Sequence, residues 1–453
     1  MALARSIGRV VFLFLLLAGS LCAAAPEALL VVVGDQHSAY ERTAQLVARV
    51  DRLKTENPGV PLAVLIDGDT FELGNAVAKR SGGAIEFAMF AALARRAPTV
   101  LNLGNHEPEF YDLAETVARV RATGVTVIGN ITDHATGKLF APASARLRLG
   151  GEEAVVVGVT IDALAQYRAA VRPMLDLTNP VAWAKEKFPA LLSRAPSALN
   201  IVLSHAGVKN DREIFPLVPD GTLFAGAHDH LRFVHRMGRT VYFHSGSWND
   251  HASVVRLRRD AERRPVWDIE QVPIDPADPA DPELAAVIRE MRAKYLMAED
   301  VASVGRLPTA LAREDAARFV ARAVRIAVGV DAAFIGNTTF GAGLPAGEVS
   351  RVALDACVRF DGTICVAEVT GAQLREFLAG ANQSPDTPFA ERHGEFLFSD
   401  GPTEIAAERR YRIATTDWGM RNRDRYFGSE TIAFIERPEL RLKAMVAEAL
   451  NKP

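Results

Sequence analysis

The sequence is poor in cysteine, has no excess of basic charge and has no long apolar run after its first 25 residues. Its 453 residues carry a formal net charge of −3, and a mildly acidic chain without basic runs is not built to hold nucleic-acid backbones. No later segment approaches the roughly 20 apolar residues that a membrane-spanning helix needs. The sequence therefore predicts a mature chain that binds neither nucleic acid nor membrane.

The first 25 residues differ from the rest. Arg5 and Arg9 precede the apolar run "VVFLFLLLAG", and the small residues of "SLCAAAP" follow it. This order is typical of a secretory signal peptide, and Leu21 before Cys22 argues against a lipoprotein. We therefore predict that residues 1–25 are a signal peptide and that the protein is exported, either periplasmic or extracellular.

Export would leave two cysteines, Cys357 and Cys365, in a compartment that permits disulfides. The stretch "VRFDGTI" between them contains an Asp-Gly pair, which is typical of a hairpin turn. The pattern is compatible with a cross-strand disulfide and with two buried free thiols. Neither cysteine is predicted to be catalytic.

Polar side chains follow five predicted strands, at the point where each strand ends. The apolar stretches run into "GDQH", "DGDT", "GNHE", "LSHAG" and "GAHDH", and helix-like stretches such as "ERTAQLVARVDRLKT" separate most of them. Alternating strands and helices predict an α/β fold, in which ligands gather beyond the carboxyl ends of the strands. Asp, His and Asn without Cys are typical ligands of Zn, Mn, Fe or Co. Five strand ends of this kind indicate a metal site, with donors enough for two ions if one carboxylate bridges them.

These five blocks closely resemble, in order, those of the calcineurin-like metallophosphatases, specifically the exported 5′-nucleotidase branch, over roughly residues 28–250. The resemblance implies an α/β fold with a four-layer sandwich of two sheets flanked by helices, followed by a smaller α/β substrate-binding domain. It also implies two divalent metal ions as cofactors, drawn from Mn, Zn, Co or Fe. Carried over by motif, one ion would be held by Asp35, His37, Asp69 and His230, and the other by Asp69, Asn105, His205 and His228.

The resemblance also makes His106 the catalytic histidine beside the phosphoryl group. Two cations would activate a water to hydroxide for in-line attack, and His106 would stabilise charge or protonate the leaving oxygen. In the family an aspartate three residues further on usually orients this histidine. Here the stretch is "GNHEPEF", with Pro108 in the pattern and Glu109 at that position. We predict that Glu109, one methylene longer than aspartate, is the orienting partner.

The second half follows a linker. The Pro-Asp repeat "DPADPADPE" does not favour helix or sheet, and "ELAAVIREMRAKYL" after it predicts an amphipathic connecting helix. We therefore predict a metallophosphoesterase domain over residues 26–272, a linker and helix over 273–303, and a substrate domain over 304–453. This last part resembles the 5′-nucleotidase C-terminal domain.

The departures from the family fall in the substrate domain. Family members usually carry N-x-G-G-x-R, whose arginine meets the phosphate, whereas this chain has "NTTFGA" from Asn337 and no arginine follows. Three arginines near Trp418 either replace this charge or belong to a solvated loop: Arg421, Arg423 and Arg425. The predicted substrate-binding residues are Asn337, Phe396, Trp418 and Asp424.

The predicted function is hydrolysis of a small-molecule phosphate ester, most simply a nucleotide, by an exported dinuclear phosphohydrolase of the 5′-nucleotidase type. The missing arginine keeps open a cyclic-nucleotide phosphodiesterase or a thiosulfohydrolase-like hydrolase of the same superfamily. A non-catalytic binding protein that retains its metals is a third alternative. The presence of His106 argues against it, because a pure scaffold has no need for that side chain.

Overall fold

The computed structural model describes residues 26–451, so the predicted signal peptide lies outside the described residues. The strands are β1 (Ala28–Gly34), β2 (Leu62–Asp67), β3 (Thr99–Asn102), β4 (Thr126–Ile128), β5 (Thr132–Asp133), β6 (Lys138–Leu139), β7 (Ser144–Leu149), β8 (Glu152–Thr160), β9 (Leu175–Asp176), β10 (Leu199–His205), β11 (Leu223–Gly226), β12 (Arg232–Met237), β13 (Thr240–Ser245), β14 (His251–Arg259), β15 (Pro265–Pro273), β16 (Ser303–Leu307), β17 (Ala332–Gly336), β18 (Gly347–Ser350), β19 (Thr363–Thr370), β20 (Leu397–Asp400), β21 (Arg410–Thr416) and β22 (Ile435–Arg441). The α-helices are α1 (Thr43–Glu56), α2 (Ala76–Ser81), α3 (Ala84–Ala94), α4 (Leu113–Ala122), α5 (Pro180–Leu191), α6 (Val208–Ile214), α7 (Pro282–Tyr295), α8 (Ala298–Val301), α9 (Arg313–Val328), α10 (Arg351–Cys357), α11 (Gly371–Gly380), α12 (Asp417–Arg421), α13 (Arg423–Phe427) and α14 (Leu442–Leu450).

Two six-stranded sheets form the first half of the molecule, in the orders β15-β14-β1-β2-β3-β4 and β12-β13-β11-β10-β8-β7. They pack face to face through buried apolar side chains such as Leu30, Leu65 and Leu203. Helices α1, α3, α4 and α7 cover the outer face of the first sheet, and α5 and α6 cover that of the second. The predicted four-layer sandwich is confirmed.

The direction of the strands brings the polar motifs to one edge. Strands β1 to β4 run parallel to one another, and so do β8, β10, β11 and β13. The flanking strands β14, β7 and β12 are antiparallel to them. Strand β1 is buried along its whole length, because sheets covered on both faces need apolar strands rather than alternating ones. The loops that leave the carboxyl ends of these strands carry the polar residues of the sequence motifs.

The second half has a five-stranded sheet in the order β20-β17-β21-β19-β22 and a separate pair, β16 with β18. Helices α9 and α14 pack on one face of the larger sheet, and α11 and α13 pack on the other. This is the smaller α/β body that the resemblance implied. The connecting helix α7 packs on the first half, where Leu284 joins the core.

The two cysteines of the described chain are free and buried, and burial raises the pKa of both thiols to about 12. Cys357 ends helix α10, whereas Cys365 lies in β19, whose partners are β21 and β22. The hairpin expected between them is therefore wrong, since the Asp-Gly pair turns the chain from a helix into a strand. Of the two alternatives, the structure has the buried free thiols.

Within residues 26–451, no helix combines the length and the apolar character that crossing a bilayer requires.

Candidate active site

The seven predicted metal ligands lie together at the carboxyl edge of the two large sheets. Asp35 and His37 follow β1, Asp69 follows β2, Asn105 follows β3, His205 ends β10, and His228 and His230 follow β11. Two groups of three have ligand atoms within 4.8 Å of one another, namely Asp35, His37 and His230 in one and Asp69, His205 and His228 in the other. The convergence expected from the strand ends is present.

Asp69 belongs to the second group and also lies close to the first. Its Oδ2 is 3.0 Å from Nε2 of His205 and 3.9 Å from Nε2 of His37. On one side, the Nε2 atoms of His37 and His230 are 2.8 Å apart. On the other side, Nδ1 of His228 is 3.0 Å from Oδ1 of Asn105. Donor atoms that face a common point at these separations are suited to share a cation.

The ionisable groups of the cluster differ in protonation. Burial raises the pKa of Asp35 well above its usual range, whereas burial would lower the pKa of His205 but Asp69 outweighs it and raises that pKa, so cations would displace a proton from each. Three other histidines already suit cations. Burial lowers the pKa of His37 and His230 well below the usual range and that of His228 to about 3, so these rings are neutral, which is the form that binds metal. Burial alone would raise the pKa of Asp69, but His205 and His106 outweigh it and hold that pKa well below its usual range. A set of Asp, His and Asn donors without thiolate is typical of Zn, Mn, Fe or Co. The residues present therefore fit two divalent ions that share Asp69.

The backbone of the ligand loops is unusual. Five of the seven predicted ligands have positive φ angles between 45° and 82°: Asp35, His37, Asp69, His228 and His230. Such left-handed conformations are costly for residues other than glycine and persist where the surrounding structure fixes them.

Glu107, from the "GNHE" motif, fixes the backbone of one of these ligands, Asp69. Its carboxylate accepts hydrogen bonds from the backbone N–H groups of Asp69, Thr70 and Gly104 at 3.0, 2.9 and 2.6 Å. The carboxylate of Glu107 thus ties the loop after β2 to the loop after β3, and the loops hold the ligands at the required angles.

His106 stands beside this cluster. Its Nδ1 is 2.9 Å from Oε1 of Glu109, so the longer acid does reach the ring across Pro108. Burial would lower the pKa of His106, but the carboxylates of Asp69 and Glu109 outweigh it and raise the pKa to about 10. Cations bound at Asp69 would oppose that increase, because they neutralise the carboxylate that causes it. One ring atom of His106 also lies within 4.8 Å of ligand atoms of His37 and Asp69.

A cavity of about 270 Å³ opens from the metal-ligand cluster between the two halves of the chain. The second half contributes Thr338, Thr339, Phe360, Asp361, Gly362, Glu395, Thr416, Asp417 and Trp418 to its wall. Three of these side chains are carboxylates, and no lysine or arginine of the described chain lines the cavity. Its outer part is therefore acidic and aromatic.

Of the four predicted substrate residues, only Trp418 lines this cavity. The Asn337 amide donates to the carbonyls of Asp229 and Gly394 at 3.2 and 3.3 Å, and its oxygen accepts from the backbone N–H of Phe396 at 3.1 Å. These hydrogen bonds use the side chain of Asn337 to join the two halves, which leaves it unavailable to a substrate.

Phe396 and Asp424 also lie away from the cavity. The Phe396 ring packs 5.2 Å from the Phe398 ring and borders a second cavity of about 70 Å³. Asp424 is exposed to solvent at the start of α13. Neither side chain lines the cavity beside Trp418, so the structure does not bring these predicted residues together there.

Phe360 is the aromatic residue that sequence reasoning missed. It lines the cavity, with its ring centroid 6.1 Å from that of His106. The signal in the sequence is that Phe360 directly precedes the Asp361-Gly362 turn, because an aromatic residue beside a turn can face a cavity. The hairpin interpretation of that turn hid the signal. Two alternatives were open for the arginines near Trp418, a replacement for the missing phosphate ligand or a solvated loop. None of them lines the cavity: Arg421 pairs with Asp417 at 2.8 Å and Arg425 with Glu395 at 3.3 Å.

Known families match both halves. Residues 28–232 match the calcineurin-like phosphoesterase family, and residues 302–398 match the 5′-nucleotidase C-terminal domain. No curated protein sequence matches the chain.

Solved structures share the fold at low identity. The 5′-nucleotidase precursor of Thermus thermophilus is 16% identical with a TM-score of 0.64, covering 93% of this chain and 96% of that one. The sulfate thiohydrolase SoxB of Thermus thermophilus is 16% identical with a TM-score of 0.66, covering 94% of each chain. A 5′-nucleotidase of Candida albicans is 12% identical with a TM-score of 0.59, covering 94% of this chain and 98% of that one. The chain thus joins a calcineurin-like phosphoesterase domain to a 5′-nucleotidase C-terminal domain, and it belongs to the phosphoester hydrolases.

Proposed function

We propose that this chain hydrolyses phosphate monoesters of the nucleotide class, as a 5′-nucleotidase-type phosphohydrolase. The observation that carries the proposal is the meeting of the metal-ligand cluster, His106 and Trp418 in one cavity. A phosphoryl group at the cluster would leave its organic part next to the aromatic side chains of the second half. Residues 26–272 would then perform the chemistry, and residues 304–453 would select the substrate across the 273–303 connection.

The roles of the residues follow from their positions. Two bound cations would neutralise the phosphoryl oxygens and lower the pKa of an attacking water. Asp35, His37, Asp69, Asn105, His205, His228 and His230 would hold these cations. Because Nδ1 of His106 faces Glu109, its Nε2 is free to protonate the leaving oxygen. Phe360 and Trp418 would bind the leaving group by its flat faces and exclude water.

The test is hydrolysis of a substrate panel by metal-depleted and reconstituted protein. We expect a chelator to abolish hydrolysis and Mn, Co or Zn to restore it, with nucleoside 5′-monophosphates among the best substrates. Undiminished hydrolysis by protein from which all metal has been removed would refute the dinuclear centre.

A second candidate is a thiosulfohydrolase-like activity, and the lining of the cavity favours it. The three outer carboxylates are each paired with an arginine, Asp361 with Arg441, Glu395 with Arg425 and Asp417 with Arg421. No lysine or arginine of the described chain lines the cavity itself, so no guanidinium is placed there to meet a nucleotide phosphate. A panel that includes an S-thiosulfonate and a cyclic nucleotide separates the candidates. Turnover of the S-thiosulfonate with none of nucleoside monophosphates would replace the first proposal.

Export is a further part of the proposal. It rests on the basic, apolar and small-residue pattern of residues 1–25. Mass spectrometry of the protein recovered from its native cells tests it, because cleavage gives a mature chain that begins near residue 26, whereas retention in the cytoplasm leaves residues 1–25 attached.

A further inference from the structure

Arg359 is a buried arginine that the second half places beneath the metal-ligand cluster of the first half. Its side chain is 5% exposed, and its partner Glu72 is 1% exposed. The guanidinium donates to Oε2 of Glu72 from Nε at 3.0 Å and from Nη2 at 2.9 Å. A buried ion pair across 287 residues of sequence is costly to assemble, so its position calls for a functional explanation.

The hydrogen bonds of this guanidinium lead to one residue, His37. Nη2 of Arg359 also donates to the main-chain carbonyl of His37 at 2.7 Å. Oε2 of Glu72 lies 4.0 Å from Nδ1 of His37, beyond hydrogen-bond distance, and that nitrogen is buried without a hydrogen-bond partner among the described residues. On its other side, the guanidinium lies over the ring of Trp248, 4.5 Å from the centroid.

Trp248 extends the same support. Its buried ring packs 4.5 Å from the ring of His37 and 5.4 Å from that of His230, measured between centroids. His37 and His230 are the two histidines whose Nε2 atoms face each other at 2.8 Å. Arg359 therefore supports both imidazoles of one metal-ligand group without touching either ring.

His37 needs such support because its backbone is in the left-handed region, with φ of 45°. The hydrogen bond from Arg359 to the carbonyl of His37 stabilises that conformation. Metal-bound histidines usually direct their second nitrogen to a carboxylate, which fixes the ring and strengthens the ligand. Glu72 presents a carboxylate on the Nδ1 side of His37 at 4.0 Å, and Arg359 holds that carboxylate there.

We propose that Arg359 is a positioning residue for the metal ligand His37, so that the metal affinity of the first half depends on an arginine supplied by the second half. The proposal rests on the assignment of His37 as a ligand in the proposed function. Arg359 directly precedes Phe360, which lines the cavity. One loop thus contacts the substrate cavity and supports the metal ligand together.

The experiment measures the affinity of the metal-free full chain for Mn²⁺ and Co²⁺ by competition with a chelator. Arg359→Met roughly keeps the length of the side chain and removes the guanidinium group. It should weaken metal binding by about 10–100-fold, as is usual for the loss of a group that holds a metal ligand. Arg359→Lys keeps the charge but cannot contact Glu72 and the His37 carbonyl together, so its affinity should be intermediate. Unchanged affinity in Arg359→Met overturns the proposal.

A double variant separates positioning from folding. Arg359→Met alone leaves Glu72 buried and unpaired, which destabilises the fold, whereas Arg359→Met with Glu72→Gln removes both charges. We expect the double variant to regain its unfolding midpoint while its metal affinity stays low. Recovery of both quantities would mean that the pair is only structural.

Two controls complete the design. Arg80→Met breaks the ion pair with Asp300, which is distant in sequence and touches no predicted ligand, and should leave metal affinity unchanged. His37→Ala tests the assignment beneath the proposal. If His37→Ala does not weaken metal binding, the proposed metal centre fails; if it does and Arg359→Met does not, only this inference fails.

Discussion

At the scale of single residues, the chemistry depends on which nitrogen of His106 faces the cavity. The contact between Nδ1 and Glu109 decides it, because a ring held by a carboxylate on one nitrogen presents the other. Pro108 does not prevent this contact, since the chain makes a single short turn between the two residues. His106 also lies close to Asp69 and His37, so its role as acid rather than ligand needs a direct test.

His106→Ala should lower kcat by about 10²–10⁴-fold, because a positioned acid–base group contributes about this much to the rate. The bound metal, measured by elemental analysis of the same sample, should not change. Glu109→Gln is the matched variant, since it keeps the hydrogen bond but not the charge, and its loss of kcat should be smaller. Release of metal from His106→Ala would identify this histidine as a ligand and contradict its assigned role.

Asp69→Asn should be the most damaging change among the ligands. Asp69 lies between the two groups, so the loss of its charge weakens the binding of both cations at once. Metal content after dialysis should fall for both ions, and hydrolysis should fall with it. Asp424→Asn, at an exposed carboxylate outside the cavity, is the control and should keep both ions. Retention of two ions by Asp69→Asn would show that this carboxylate does not bridge them.

At the scale of elements, the turns after the strands matter more than the strands. Gly68 has φ of 70°, and a Cβ atom there would lie 2.6 Å from Nδ1 of His205 and 2.8 Å from Cα of Gly104. Three ligand loops therefore meet around one glycine, with no room for a methyl group. A residue that can adopt the same φ angle but carries a Cβ atom therefore cannot replace Gly68.

Gly68→Ala should destabilise the fold and weaken metal binding through the displaced His205. Gly59→Ala is the control, because Gly59 has a similar φ of 81° and nothing lies within 4 Å of its Cβ position. Gly59→Ala should cost only the left-handed conformation, about 1–2 kcal/mol, and leave metal affinity intact. Denaturant unfolding and metal competition on both variants measure the difference. Equal losses in the two variants would mean that the loops around Gly68 relax without disturbing His205.

The elements also show how far the sequence could predict the site. Asp35, His37 and the other predicted ligands follow apolar strands directly, and parallel strands bring their ends to one edge whatever the details of packing. The positions of these residues were therefore accessible from order and polarity alone.

The second half was less accessible for a physical reason. The stretch around Phe360 has turn residues that favour a hairpin, but Cys357 ends a helix that packs into the core, and tertiary packing overrides the local turn signal. Arg359 contacts Glu72 across 287 residues, a pairing that no local pattern encodes. Asn337 faces the backbone of the other half rather than the cavity, which depends on how the halves dock.

At the scale of the whole molecule, both halves line one cavity, and the proposed function divides the work between them. The first half supplies the metal ligands and His106, whereas the second supplies most of the outer wall. Binding energy gained at the outer wall can orient a substrate whose reacting bond lies at the ligand cluster. Substrates that differ only in the outer part should therefore respond differently to changes in the second half.

Trp418→Ala tests this division with two substrates. Its ring lines the cavity, so its loss should raise KM for a base-containing nucleotide by roughly 5–160-fold, the equivalent of about 1–3 kcal/mol of stacking. The KM for a small activated aryl phosphate should change little, because its good leaving group needs less positioning.

Phe396→Ala is the matched control: its ring packs beside Phe398 away from this cavity, so it should lower stability without changing the preference between the substrates. Equal effects of Trp418→Ala on both substrates would indicate a folding defect. No effect on either would mean that the natural substrate has no planar base stacked on Trp418, which favours the S-thiosulfonate alternative.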